Sequence, residues 1–522
     1  MSQPAPPTRA GATGASAAGG GTAADATATA DAKASASREA EHDHSRRWWT
    51  LAALGLAQLM VVLDATIVNI ALPSAQADLG FGDADRQWVV TAYALAFGGL
   101  LLLGGRLADL FGRRRTLLVG LIGFALASAL GGAATGFGTL VGARALQGVF
   151  GALLAPSALS LLTLTFSDPK ERGKAFGIFG AIAGAGAAIG LLLGGVLTEY
   201  LSWRWCLYVN VPIAVIAGLG AIRFVRKVPP ASGVHLDIPG VVTAVLGLGG
   251  LVYSFARAES DGWSDPVTIT LIAVSVVLLV VFVLLQQRVA HPLLPLRVVL
   301  DRRRGGAYLA IGLAAIGMFA VFLFLTYYLQ QTKGFSPLRS GVAFLPFVAG
   351  ILTSSTVIVP RLLPRIGPRY LITTGQLLGM AGLLYLWRLE ADSGYAVHVL
   401  PALFVMGSGM GLIFASCFNT ATSGTAPADA GVASALVNTG QQVGGALGTA
   451  LLNTFAASAT AAYVSANGQS PSVLADAAVA GETRAFLIAA GVFLLGAVVS
   501  LLVLPSGPNP VPQRGAPVPA GH

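Results

Sequence analysis

From Leu51 to Pro73 the chain reads LAALGLAQLMVVLDATIVNIALP. A run like this is long enough to cross a bilayer as a helix, which takes about 20 residues. It constrains the fold strongly, because backbone groups inside lipid have to be hydrogen-bonded within the protein. Yet the run carries Asp64. A carboxylate there costs at least about 2.5–3.5 kcal/mol. A partner, a proton, or each in turn must neutralise it. An acid that trades its proton for a partner or a cargo is the core of a proton-coupled transporter.

The run is one of a series. Only 11% of the 522 residues are charged, against roughly 25% in a soluble domain. Apolar spans are expected near 49–71, 87–107, 116–135, 138–163, 175–198, 204–224, 239–257, 267–287, 307–330, 341–361, 370–389, 396–418, 431–456 and 484–504. The fold class is therefore an all-α polytopic membrane protein with fourteen spans, and an even count puts both termini on one side. With the N-terminus inside, 24 Lys/Arg fall in inner loops and tails, seven fall outside, and Arg144 lies within a span. That asymmetry places both termini in the cytoplasm. It also accounts for the net charge of +9 without nucleic acid. Residues 1–46 lack the apolar run of a signal peptide and read as a disordered tail, as does the Pro/Gly-rich stretch 505–522. Cys206 and Cys417 offer no disulfide or metal framework.

Arg144 is the second anomaly. At 1.5 Å per helical residue, Asp64 lies roughly 24 Å and Arg144 roughly 21 Å from the inner face. An acid and a base at one depth in neighbouring helices can neutralise each other. Gln147, Gly148 and Gly151 share the face of Arg144. A fixed structural ion pair, or an arginine that snorkels outward, would give the same pattern.

The third signal is GRLADLFGRRR, Gly105 to Arg115, between spans 2 and 3. Gly105 and Gly112 permit tight turns. Asp109 can accept from a helix N-terminus or pair with an arginine such as Arg113. An ordinary basic loop is the plainer alternative.

These residues resemble the major facilitator superfamily. G-x-x-x-D-x-x-G-R-R between spans 2 and 3 is similar to its signature loop, with Leu110 where many members carry a base. LDATIVNIALP (Leu63–Pro73) and RALQG (Arg144–Gly148) resemble the first- and fourth-span motifs of its fourteen-span drug:proton antiporters. Gly177, Gly186, Gly190, Gly194 and Gly195 match that family's fifth-span glycine motif, with Leu191 in place of its proline. WRWCLYVNVP (Trp203–Pro212), GFSP (Gly334–Pro337) and NTGQQVGGALG (Asn438–Gly448) are similar as well. The resemblance implies two six-helix bundles, 47–225 and 305–504, with two inserted helices at 238–287. It implies Asp64 and Arg144 in proton coupling, a gate at Gly105, Asp109, Gly112 and Arg113, and export of lipophilic drugs, antibiotics or toxic metabolites across the plasma membrane. A major facilitator importer of a small metabolite is the alternative. The loop Pro360–Tyr370 (PRLLPRIGPRY) looks like a decayed copy of the gate loop, with Gly367 matching Gly112.

Cargo would meet aromatic faces with a few polar groups. The candidates are Tyr93 and Phe97 in span 2, Gln147 in span 4, Phe324, Tyr327, Tyr328 and Gln331 in span 9, and Asn438, Gln441 and Gln442 in span 13. Plain helix packing would use the same residues. The second half shows no clearly buried acid, so proton chemistry is expected in the first half, and a lone carboxylate favours neutral or singly charged cargo. No G-x-x-x-x-G-K-[ST] phosphate loop occurs, so ATP is not expected to drive the process. No cofactor or metal is expected beyond the proton gradient, and no enzymatic activity. The expected partners are the lipophilic small molecule, protons and the lipid bilayer.

Overall fold

The computed structural model describes residues 22–81, 83–166, 168–227, 236–289, 292–425, 429–468 and 470–508. The chain divides into a short unit, Met1–Trp48, and the body, Trp49–His522. In the short unit, residues 22–48 are helical, whereas the sequence reads as an irregular tail to 46. Alanine explains the difference. TAADATATADAKASASREAEH alternates it with small polar residues, and alanine is the best helix former. The rest of that expected tail, and nearly all of the C-terminal one, lies outside the described residues.

The body is helical, with no strand among the described residues. In chain order it comprises α1 (Thr22–Leu79, shared with the short unit), α2 (Asp83–Phe111), α3 (Arg113–Gly132), α4 (Phe137–Thr165), α5 (Pro169–Tyr200), α6 (Trp205–Tyr208), α7 (Asn210–Phe224), α8 (Ile238–Asp261) and α9 (Pro266–Gln286). Beyond these come α10 (Leu296–Leu300), α11 (Arg302–Ala320), α12 (Pro337–Ala343), α13 (Leu345–Thr353), α14 (Val359–Ile366), α15 (Pro368–Leu386), α16 (Leu400–Thr422), α17 (Ala430–Asn467) and α18 (Pro471–Val503). Eleven helical stretches among the described residues are long and apolar enough to cross a membrane. Three further helices, α5, α15 and α17, coincide with expected spans and are 32, 19 and 38 residues long without being among those eleven.

Breaks in the helices arise from local sequence. Pro212 has no N–H to donate to Tyr208, so the sixth span divides into α6 and α7 and Asn210 starts a new helix. Pro346 does the same between α12 and α13. Span 9 continues from α11 through two π-helical turns, Val321–Leu325 and Tyr328–Thr332.

Within the first half, α4 packs on α2 and α3, and α3 on α7. Within the second, α11 packs on α17 and α18, and α15 on α16 and α18. The two groups meet where α17 lies against α2 and α4, and where α5 lies against α12–α14 and α16. Helix α8 contacts both α2 and α17, while α9 packs on α8 and leaves its valines exposed. Leu102, Leu248, Phe282 and Val432 join these helices in one apolar cluster.

Candidate functional site

Asp64 is fully buried and accepts three hydrogen bonds. Arg144 Nη1 donates to Oδ2 at 2.6 Å; Gln147 Nε2 and Asn210 Nδ2 donate to Oδ1 at 2.9 and 2.7 Å. Arg144 is in turn held from three further sides. Its Nε donates to the Val89 carbonyl at 3.1 Å, its Nη1 also reaches Gln147 Oε1 at 2.8 Å, and its guanidinium carbon stands 4.4 Å from the Tyr93 ring centroid. Gln147 also donates to Ser128 Oγ at 2.7 Å. The ion pair is thus neutral overall and densely hydrogen-bonded. One head of the cluster, Asn210 Oδ1, is buried without a partner. The depths read from the sequence place Asp64 and Arg144 at one level, and here they touch.

Close helix approach makes this possible. A Cβ at Gly148 would stand 2.5 Å from the Tyr93 carbonyl oxygen, so only glycine lets α4 lie this near α2. On the other side of Asp64, a Cβ at Gly190 would collide with Thr66 Oγ1. Gly186 and Gly194 continue that row along α1. Gly177 faces the other way: a Cβ there would meet the Ser355 carbonyl oxygen in the second half. The glycine series therefore divides, part holding α1 and part meeting the opposite bundle. Gly195 is buried, and Leu191 is half-buried.

A second cluster lies at the basic end. Gly112 adopts φ +91° as the N-cap of α3, and Arg113 Nη2 donates to Asp109 Oδ1 at 2.7 Å. Both side chains are buried. Asp109 Oδ2 faces Gly431 in the first turn of α17, where a Cβ would stand 2.7 Å away; Gly105 approaches the Gly431 carbonyl as closely. Gly367, the sequence counterpart of Gly112, is likewise an N-cap with φ +80°. Sequence reasoning missed the neighbours of this cluster. Arg297 pairs with Asp429 at 2.8 Å, and Arg172 Nη2 donates to Thr422 Oγ1 across the two halves at 3.2 Å. Burial pushes the Arg172 guanidinium down to about 10. Asn210 was missed too, although it stands inside WRWCLYVNVP; an amide in that stretch was a signal.

The candidate cargo-lining residues do not share one surface. Tyr93 and Phe97 are buried and stacked with centroids 5.5 Å apart. Tyr93 and Gln147 belong to the Asp64 cluster, and Phe97 packs where Gly151 leaves room. In span 9, Phe324 and Tyr328 are buried whereas Tyr327 and Gln331 are exposed. The π turns widen the helical repeat and separate residues that an ideal α-helix would align. Tyr328 donates to the Glu390 carbonyl at 2.8 Å. Asn438 is buried and donates to the Ser434 carbonyl at 2.9 Å; Gln441 and Gln442 are half-buried. Two acids of the second half are buried, which the sequence reading did not expect: Asp429, paired with Arg297, and Glu482, 6% exposed. Glu482 falls in α18 because that helix starts at Pro471, well before the expected span.

The model of the Major Facilitator Superfamily matches residues 54–449. The chain is 54% identical over 473 residues to the puromycin resistance protein pur8 of Streptomyces alboniger, covering 90% of this chain and 94% of that one. It is 40% identical over 407 residues to the cephamycin export protein CmcT of Amycolatopsis lactamdurans, covering 77% and 84%. The fold superposes on the crystal structure of the human organic anion transporter MFSD10 with TM-score 0.59 at 16% identity, covering 87% and 99%. An all-helical chain with two packed groups of helices and a glycine-capped loop between α2 and α3, matched over most of its length, belongs to the Major Facilitator Superfamily of membrane transporters.

Proposed function

We propose that the protein exports lipophilic antibiotics or related toxic compounds across the cytoplasmic membrane in exchange for protons, on the fourteen-span plan with both termini in the cytoplasm. The observation that carries this reading is the sealed Asp64 cluster joining α1, α4 and α7. The named roles of the relatives, puromycin resistance and cephamycin export, supply the cargo class.

The chemistry runs through Asp64. Ionised, it holds Arg144, Gln147 and Asn210. A proton arriving from outside neutralises it and weakens three charge-assisted bonds at once. Arg144 keeps the Val89 carbonyl and Gln147 Oε1, so its charge stays solvated while α1 is released. The two bundles then rock about a site near mid-membrane. In the present state the basic end is shut, with α2 on α17 and α5 on α16. Asp109, Arg113 and the start of α17 serve as the latch of that closed end. Residues 341–361 hold no acid, so cargo is neutral or singly charged.

Efflux of ethidium and of puromycin from energised cells of a pump-deficient host tests this. Export that collapses with an uncoupler supports it. Accumulation of either compound, or export indifferent to the uncoupler, overturns it.

A further inference from the structure

The second half holds a buried carboxylate without a paired cation among the described residues, and the mechanism above does not use it. Glu482 lies 22 residues before Leu504 in α18, roughly 33 Å from the basic end, hence farther out than Asp64. It is 6% exposed, its Oε2 has no hydrogen-bond partner, and among the described residues no cation pairs with it. A carboxylate this buried, with one oxygen unpartnered, is costly to ionise.

Its surroundings contain the means of stabilising the charge when a proton leaves. On one side α17 brings Ala456 and Thr460 against Gly481, and neither titrates. On the other stands Tyr328, fully buried and within electrostatic range of both Glu482 and Asp392. The same tyrosine ring faces Lys333, whose Nζ lies 5.7 Å from its centroid and donates to the Ala391 carbonyl at 2.8 Å. Glu390 sits exposed on the adjoining turn, and the other charges on this part of α18, Asp476 and Arg484, are exposed. Lys333 comes directly after the π turn Tyr328–Thr332. Relaxation of a π turn to α shifts the residues beyond it by about one position, and such turns recur at functional sites.

We propose that Glu482 is a second proton-binding site of the transporter, at the outer end of the second bundle, in exchange with external water. On release, the Glu482 carboxylic acid yields a carboxylate and a proton that enters external water. Lys333 leaves the Ala391 carbonyl and pairs with the new charge. The ligand is a proton rather than a cationic drug, because the group lies packed against α17 and span 9. The inference rests on the export reading only for its use, since the proton site itself can be detected without transport.

Infrared difference spectra of the full-length protein in liposomes, between acidic and alkaline buffer, test it directly. Glu482→Gln should delete a protonated-carboxyl band that Asp64→Asn leaves in place. Lys333→Met should move the pH midpoint of that same band. A Glu482→Gln spectrum identical to the parent's overturns the proposal. Should Glu482→Gln not insert, an unmoved midpoint in Lys333→Met overturns it. Efflux indifferent to an uncoupler alongside an intact Glu482 band would sink the export reading alone.

Discussion

Asn210 Nδ2 stands 2.7 Å from Asp64 Oδ1, and the other head of the same amide, Oδ1, is buried without a partner. The amide therefore offers a donor to the ionised acid and keeps an acceptor in reserve. Rotating it half a turn would let Oδ1 accept from a protonated Asp64. Asn210→Leu removes both heads. A charge-assisted bond of about 1.5–3 kcal/mol corresponds to roughly ten- to a hundredfold in an equilibrium, so uphill efflux should fall by at least about tenfold with insertion intact. Asn210→Asp places two carboxyls within hydrogen-bond reach, where both cannot ionise; it should stall coupling. Efflux rates normalised to membrane-inserted protein check both, and parental rates in Asn210→Leu would reduce the residue to packing.

Asp64→Asn should abolish proton-coupled efflux. It also leaves Arg144 buried and charged without its anion, a change that costs about 3–5 kcal/mol. The thermal midpoint of the purified protein should therefore drop. Adding Arg144→Gln should restore much of that midpoint and none of the pumping. If the double variant pumps, the pair is structural and coupling lies elsewhere.

At the basic end, Asp109→Asn weakens the bond to Arg113 and the approach to α17, shifting the closed state by roughly ten- to a hundredfold. Gly431→Ala should act alike, because the added methyl would meet Asp109 Oδ2 at 2.7 Å. Spin labels at the basic ends of α2 and α17 should show longer distances in both variants, and cargo exchange without a gradient should slow. An unmoved distance distribution with reduced expression would make Asp109 a folding residue.

Gly190→Val drives a branched side chain into Thr66 Oγ1 and the Leu63 carbonyl. Overpacking of this kind costs about 1–3 kcal/mol, and here it pushes α1 and α5 apart at the level of Asp64. We expect loss of coupling out of proportion to loss of stability. Comparing efflux with thermal midpoint for Gly190→Ala and Gly190→Val gives the measurement; parallel declines would argue for packing alone.

The sequence made most of the expected spans, the Asp64–Arg144 pair and the Gly105–Arg115 loop legible because each depends on local pattern: apolar length, a charge at a computable depth, a glycine three residues after an acid. Asn210 and Arg172 were not legible in the same way. Their importance comes from which helices meet, and no spacing in the chain shows that α7 points an amide at α1 or that α5 reaches Thr422. Glu482 escaped because a helix extended past the expected membrane edge. The proposed lining of span 9 separated because π turns change the repeat on which any face is counted.

Helices α8 and α9 give the two flanks of the seam between the bundles different neighbours. The seam between the bundles has two flanks. On one, α8 rests on α2 and α17 together, with α9 outside it; on the other, α5 meets α12–α14 and α16. One flank of the seam is thus covered by two further helices, whereas the other is formed by α5, whose Gly177 and Gly180 let its backbone approach the second bundle directly.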